Sequence, residues 1–324
     1  MHIFQKRINY QGDLEPLLEK VCIDFSIGEY KSYKIVPIGY EDFNIFLYTN
    51  KGIFFIKIFG SFRDEKECSR YVDIIKTALD SNISHPKLYQ SNKGYLYETD
   101  TGQKDRLIVM EYVDGNIFYE LKTTPTVDEI KFIVKQAALI NQINIKPEFI
   151  YDHWAITSLP TEYEEKKQYL SDSDKELIQP LVAWFNTLKL ENIPHCFVHG
   201  DITKTNAMRA VDGKIYILDF AVSNWFPRIQ ELSVMLCDLF FDPDKKTDFE
   251  STYNLVLSEY QKYINLTEQE IKLLPNYLRL AHVMHVLLAN YEKVVNGNTS
   301  VENEYFLNMG RQGLHYMNEQ FGSH

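Results

Sequence analysis

The sequence predicts an α+β chain of 324 residues, with a small antiparallel sheet first and a mainly helical part after it. Three observations carry that expectation. Apolar and aromatic residues alternate in short runs between residues 34 and 59 and again between 95 and 112, the period of strands. From Thr126 onward the apolar residues recur at helical spacing. Inside the helical part, Val211-Asp212-Gly213 separates two short apolar runs, and Asp-Gly is a strong hairpin signal.

Hydrophobic residues make up 45% of the chain and aromatic residues 14%, with 22 Tyr and 20 Phe. That is ample material for two packed parts, expected as 1–112 and 113–324. The net charge of −11 argues against the broad basic face that nucleic-acid binding requires. It suits a cationic or zwitterionic small molecule, although an acidic surface is more often simply solvated. Cys22, Cys68, Cys196 and Cys237 are too scattered for a zinc site or a disulfide framework. Met1–Arg7 lacks the apolar core of a signal peptide, and no run is long enough to span a bilayer, so a cytoplasmic location without membrane attachment is the expectation.

In chain order, residues 13–24 have the pattern of a short amphipathic helix. Residues 34–39, 43–48 and 53–59 follow as three antiparallel strands, with Thr49-Asn50-Lys51-Gly52 as the turn between the last two. Lys57 is the odd residue of the third strand. Alternation puts it on the face of Phe55 and Phe59, so an ammonium projects from an apolar wall; a snorkelling edge-strand lysine has the same pattern. A helix is expected from Asp64 to Leu79, on the spacing of Cys68, Tyr71, Val72, Ile75 and Leu79. Residues 95–98 and 106–112 extend the sheet, and Val113-Asp114-Gly115-Asn116 breaks the pattern.

The second part opens with a capping box, Thr126 with Glu129, before a helix running to Ile143. Tyr151-Asp152-His153-Trp154 lies in an irregular segment ending at Pro160. It reads as a surface loop anchored by Trp154, or alternatively as the rim of a substrate mouth. Residues 162–190 are helical in pattern with a break at Pro180. A helix starts at Pro227, and a further capping box, Thr267 with Glu270, opens another that is expected to break near Pro275. Glu231 reads as a buried anchor, through Arg228. Asp238 and Asp242 read as helix-surface acids, or alternatively as acids facing a substrate cleft. Arg279, His282 and His285 share a helical face suited either to a substrate carboxylate or to internal bonding.

The centre of the sequence is Val198-His199-Gly200-Asp201-Ile202-Thr203-Lys204-Thr205-Asn206, followed by Ile217-Leu218-Asp219-Phe220. Folding the hairpin around Asp212-Gly213 sets residue 206 opposite 218 or 219, so Asn206 and Asp219 fall side by side with Asp201 on the same loop. Two oxygen ligands on one edge suit magnesium, which leaves its other positions to water and phosphates. A carboxylate nearby can accept the proton of an attacking hydroxyl. His199 reads as an orienting group beneath the loop.

These residues are spaced as in a kinase catalytic loop with its metal-binding Asp. In such an arrangement Lys57 would hold the ATP phosphates and a helix carboxylate would hold Lys57. The spacing leaves Asp64, Glu65, Glu67 and Asp73 open for that role, with Glu67 the choice. The His-Gly-Asp…Asn pattern with Asp219-Phe220 resembles the aminoglycoside phosphotransferase/choline kinase family. The resemblance implies a protein-kinase-like two-lobed fold from about Tyr33 to the C-terminal helices. It implies Asp201 as base, Asn206 and Asp219 as Mg2+ ligands, and ATP as phosphoryl donor. Main-chain groups of Glu111 and Val113 would read adenine, and the amides around Tyr40 would cover the phosphates. Thr203 stands where protein kinases carry a lysine, with Lys204 one place late, and Ala221 replaces the glycine of Asp-Phe-Gly. Those departures favour a small-molecule hydroxyl as acceptor over a protein. The tail resembles the homoserine-kinase branch, so the expected activities are homoserine-like or aminoglycoside phosphorylation, with a nucleotide-binding pseudokinase scaffold as the rival class.

Overall fold

The computed structural model describes residues 3–37, 41–100, 104–243, 245 and 249–321. The chain divides into two compact units, Met1–Gly115 and Asn116–His324.

In the first unit, helix α1 (Glu15–Asp24) buries Leu17, Leu18, Val21 and Cys22. An antiparallel sheet follows, built from β1 (Tyr30–Val36), β2 (Phe43–Thr49) and β3 (Gly52–Ile58). Helix α2 (Glu65–Asp80) comes next, then β4 (Leu88–Tyr89), β5 (Tyr97–Glu98) and β6 (Arg106–Glu111). The sheet order is β1-β2-β3-β6-β4, with β5 also on β6. Strict alternation in β2 places Phe43, Ile45 and Leu47 fully inside, where they meet Ile56, Ile58, Leu107 and Val109 over α1. Strand β1 starts at Tyr30, earlier than its apolar run. Its side chains are only partly covered, and pairing with β2 from Thr49 to Asn44, not burial, makes it a strand. The predicted end of that strand, Ile38-Gly39, lies outside the described residues.

The second unit begins at Asn116, inside β7 (Gly115–Ile117), and continues with a single helical turn, α3 (Phe118–Leu121). Helices α4 (Val127–Gln142), α5 (Leu159–Lys166) and α6 (Asp172–Phe185) precede β8 (His195–Val198). Then come β9 (Ala207–Ala210), β10 (Ile215–Ile217) and β11 (Asn224–Pro227). Helices α7 (Ile229–Cys237), α8 (Phe249–Tyr260), α9 (Glu268–Val294) and α10 (Val301–Phe321) complete it. Two small sheets, β10-β9-β7 and β11-β8, sit among these helices.

Three strand assignments differ from expectation. β4, β7 and β11 are two to four residues long, and cross-chain pairing rather than period creates them. The predicted breaks at Pro180 and Pro275 do not occur, since both prolines lie inside continuous helices. A helical proline orphans the carbonyl four residues back. Here those carbonyls belong to Glu176 and Ile271, both exposed residues, so solvent can offset the lost bond.

Candidate active site

The loop between β8 and β9 is held from beneath. Glu231, fully buried on α7, accepts the backbone N–H of His199 at 2.6 Å and that of Gly200 at 3.4 Å. Asn141 on α4 donates to the same carboxylate at 3.3 Å and to the Phe197 carbonyl at 3.0 Å, and Tyr260 donates to Asn141 at 2.6 Å. Burial pushes the Glu231 carboxyl up to about 7, against the lowering effect of those three N–H donors. The expected anchor is therefore present, but Arg228 does not hold it. Arg228 forms a bidentate pair with Glu270 at 3.0 and 2.7 Å, which ties α7 to the capping box of α9.

His199 is the loop's internal strut. Its Nδ1 accepts the Asp201 N–H at 3.2 Å, so its Nε2 carries the proton donated to the Leu218 carbonyl at 3.0 Å. The ring packs on Phe220 at 4.4 Å between centroids. One histidine thus spans the two strand ends that carry the candidate site. Gly200 has φ +87°, a conformation natural to glycine, and this turn directs Asp201 out of the β8 line.

The hairpin β9–β10 forms in the expected register, with Ile217 opposite Ala207, and the Leu218 N–H continues it to the Asn206 carbonyl at 2.7 Å. Asn206 donates through Nδ2 to the Asp201 carboxylate at 2.5 Å and to the Asp201 carbonyl at 3.1 Å. Its Oδ1 faces the other way from that donor. Asp219 is a non-glycine residue at φ +61°, and the Ala221 N–H donates to its carboxylate at 3.2 Å. A left-handed aspartate persists only where its surroundings fix it, and such strain gathers at functional sites.

Asp201 is half-buried, and its carboxyl is pushed well above the usual range. Desolvation is the largest cause, followed by the charges of Asp152, Asp219 and Asp238, while a hydrogen bond from Thr203 opposes them. Sequence reading left Asp152 on a surface loop and Asp238 on a helix surface. Both are buried: Asp152 at 7% exposure and Asp238 at 0%. Asp238 accepts the Lys204 N–H at 2.6 Å through one oxygen. Its other oxygen is buried with no partner among the described residues. The alternatives that set Asp152 at a substrate mouth and Asp238 toward a cleft did not link either to Asp201, because their charges act on it from separate elements. The Trp154 N–H donates to the Asp152 carboxylate at 2.9 Å, and its ring lies 5.8 Å from that of His285 and 6.3 Å from Phe306, with His285 stacked on Phe306 at 5.5 Å.

Lys204 turns away from the loop mouth. Its Nζ is buried and donates to the Phe241 carbonyl at 2.9 Å and the Tyr305 hydroxyl at 2.8 Å. Thr203 stays with the loop, its hydroxyl 2.9 Å from that of Thr205. His282 and His285 each bring Nδ1 to the Cys237 thiol, at 3.2 and 3.3 Å. Burial holds both imidazoles below their usual range, so these two serve internal packing.

In the first unit, Lys57 is 4% exposed and pairs with Asp42 at 2.9 Å. The pairing with Glu67 does not form. Glu67 instead completes the α2 capping box, accepting the Asp64 N–H at 3.2 Å, while the Asp64 side chain accepts the Glu67 N–H at 2.8 Å. Position N3 of a helix places a glutamate against its own N-terminus, out of reach of β3. Glu111 ends β6, where its N–H donates to the Lys87 carbonyl at 2.9 Å, and Val113 follows it half-buried. Tyr40 lies outside the described residues.

Among the described residues, no helix is long and apolar enough to cross a membrane, and the four cysteines are free and buried. No protein of curated function matches the sequence. Solved structures do, at low identity. The amicoumacin kinase hAmiN, in complex with AMP-PNP, Ca2+ and amicoumacin, is 16% identical over 97% of this chain and 95% of its own, with a TM-score of 0.68. Spectinomycin phosphotransferase APH(9)-Ia, in complex with ADP and spectinomycin, is 14% identical over 95% and 99%, with a TM-score of 0.71. The choline kinase LicA from Streptococcus pneumoniae is 14% identical over 93% and 99%, with a TM-score of 0.65. At such identities these likenesses establish a protein-kinase-like α+β fold, with an antiparallel sheet first and helices after it. The family model described as "Phosphotransferase enzyme family" matches residues 32–276, the stretch that contains Lys57, the His199–Asn206 loop and Asp219. This chain belongs to that phosphotransferase family.

Proposed function

We propose that the chain transfers the γ-phosphoryl group of ATP to a hydroxyl of a small molecule that carries positive charge. The observation that carries this reading is the Asp201–Asn206 contact at 2.5 Å, on a loop whose hairpin returns Asp219 to the same edge. Asp201 is the base that accepts the acceptor's hydroxyl proton as its oxygen attacks phosphorus. By donating its amide to Asp201, Asn206 fixes the carboxylate's direction and presents its own oxygen to a metal.

Among the described residues no cluster of three or more His, Cys, Asp or Glu side chains can hold a metal ion. Magnesium needs no such cluster, since one or two protein oxygens plus water and phosphate oxygens complete its shell, and the Asn206 and Asp219 pair fits that requirement. When bound, the ion would offset phosphate charge. In the first unit, which we read as the nucleotide-binding part, Lys57 would hold the phosphates. Main-chain groups of Glu111 and Val113 would meet adenine, and the backbone around Tyr40 would cover the phosphates. The second unit would carry the acceptor. No covalent chemistry by the protein is required, so rate comes from positioning and charge neutralisation.

The acceptor's charge is inferred from its surroundings. Asp152, Asp219 and Asp238 all raise the Asp201 carboxyl, and one buried oxygen of Asp238 lacks a partner. A metal offsets part of that excess, and an ammonium group would offset more. Trp154, whose backbone N–H donates to the Asp152 carboxylate at 2.9 Å, would offer a ring face to the cationic group of an amino alcohol or aminocyclitol. A panel of hydroxyl compounds assayed for magnesium-dependent ATP consumption tests the reading. Cationic alcohols should be turned over and neutral polyols should not. Asp201→Asn should retain ATP binding and lose roughly 10²–10⁴ of kcat. Full turnover by that variant, or a preference for anionic acceptors, would overturn the assignment.

A further inference from the structure

The first unit holds a charge network whose logic departs from a lysine paired with a helix carboxylate. Helix α2 has acids at Glu65, Glu67, Asp73 and Asp80, and each is occupied elsewhere or exposed. Glu65 lies 3.7 Å from Arg106, Glu67 caps the helix, and Asp73 lies 3.8 Å from Lys76. The face that α2 buries toward the sheet carries Cys68, Tyr71, Val72 and Ile75. The Tyr71 ring, 5.0 Å below the Lys57 ammonium, occupies the direction from which a helix carboxylate would come. A ring face attracts a cation but does not fix its heading as a carboxylate oxygen does.

That oxygen comes from Asp42, one residue before β2 and 5% exposed in its side chain. Asp42 and Lys57 sit near each other because β2 and β3 pair Phe43 with Ile58 and Asn44 with Lys57. While Oδ2 takes the ammonium at 2.9 Å, Oδ1 accepts the Gly60 N–H at 2.9 Å and the Arg63 Nε–H at 3.2 Å. The carboxylate is therefore itself held, by the turn that follows β3. Gly60 permits the approach: a Cβ there would lie 2.8 Å from the Glu41 carbonyl oxygen. Arg63 also pairs with Glu41, and Arg7 donates to the Asp42 carbonyl at 3.1 Å. Three segments of the unit thus converge to set one aspartate.

We propose that Asp42 is the positioning residue for Lys57, doing from the start of β2 what a glutamate on α2 would otherwise do. The inference rests on the reading of Lys57 as the phosphate-holding lysine. Because Asp42 closes the segment that leads out of β1, the same ion pair couples the backbone entering β2 to the lysine. A phosphate group would meet both as one preset surface.

The test is a double-mutant cycle on magnesium–ATP binding, by titration calorimetry of the full chain, with Asp42→Asn, Lys57→Ala and the double variant. Asparagine keeps an acceptor for Gly60 and removes the charge facing Lys57. The expected result is a roughly 10–100-fold loss of affinity for Asp42→Asn, the scale at which an orienting partner acts. That loss should vanish when Lys57 is already alanine. An undiminished loss in the Lys57→Ala background would mean that Asp42 acts only on the fold, and the proposal fails. An unaltered affinity in Asp42→Asn alone would also defeat it. If Lys57→Ala by itself binds ATP as the wild type does, the lysine reading is what fails, and the two failures are told apart. Should Asp42→Asn not fold, Asp42→Glu moves the oxygen by one methylene and must show the same dependence on Lys57.

Discussion

Replacing Glu231 with glutamine probes the support of the candidate loop directly. Burial raises this carboxyl from 4.5 to about 7. The native state therefore binds one more proton than the unfolded chain between those two values. Stability falls as pH rises through that window and levels off above it. At ~1.4 kcal/mol per pH unit the full loss is about 3 kcal/mol. Of this, roughly 1 kcal/mol falls between pH 6 and pH 8. Glutamine has the same shape and no titration, so it should remove this component. One amide N–H, that of Gly200 or His199, then faces an NH2 group, which costs about 1–3 kcal/mol independent of pH. Urea denaturation of both proteins at closely spaced pH values measures the difference. The variant should gain roughly 1 kcal/mol on the wild type from pH 6 to pH 8. Parallel profiles would refute the argument, because they would mean that the N–H donors of His199, Gly200 and Asn141 keep the carboxylate ionised despite its burial.

Two further substitutions test the packing that carries the second unit. A Cβ at Gly313 would lie 2.0 Å from the His282 ring, and that ring is fully buried between Cys237 and Phe241. Gly313→Ala should therefore destabilise by about 1–3 kcal/mol despite its better helix propensity. An unchanged melting temperature would show that α9 and α10 do not approach so closely. Arg228→Ala leaves the fully buried Glu270 carboxylate without its bidentate partner and should cost about 3–5 kcal/mol. Adding Glu270→Gln should recover part of that loss in the same denaturation assay, and no recovery would mean that the Arg228 stem, not its charge, supplies the stability.

The strong local signals of this chain were legible. Alternation located β2, β3 and β6, the capping boxes at Thr126 and Thr267 located α4 and α9, and Asp212-Gly213 located the hairpin. Each depends on residues within a few positions of one another. Where pairing across the chain makes the structure, as in β4, β7 and β11, the sequence carried no period to read. Prolines misled for a related reason. Whether a lost N–H matters depends on whether the orphaned carbonyl reaches water, which only the packed surface decides.

The candidate site divides the same way. By itself the sequence determined the loop and its order: a histidine, an aspartate, an asparagine five places on, and a second aspartate returned by a hairpin. Chain connectivity suffices to bring those groups together. Tertiary structure alone decided who surrounds them. Asp152 comes from the irregular segment between α4 and α5, and Asp238 from the end of α7. Lys204 turns inward to Phe241 and Tyr305, and Glu231 takes the backbone of the loop while Arg228 goes to Glu270. It likewise gave Lys57 to Asp42 and left Glu67 to cap its helix. An ion pair is chosen by distance and burial in three dimensions, and residues far apart in sequence compete for the same charge on equal terms.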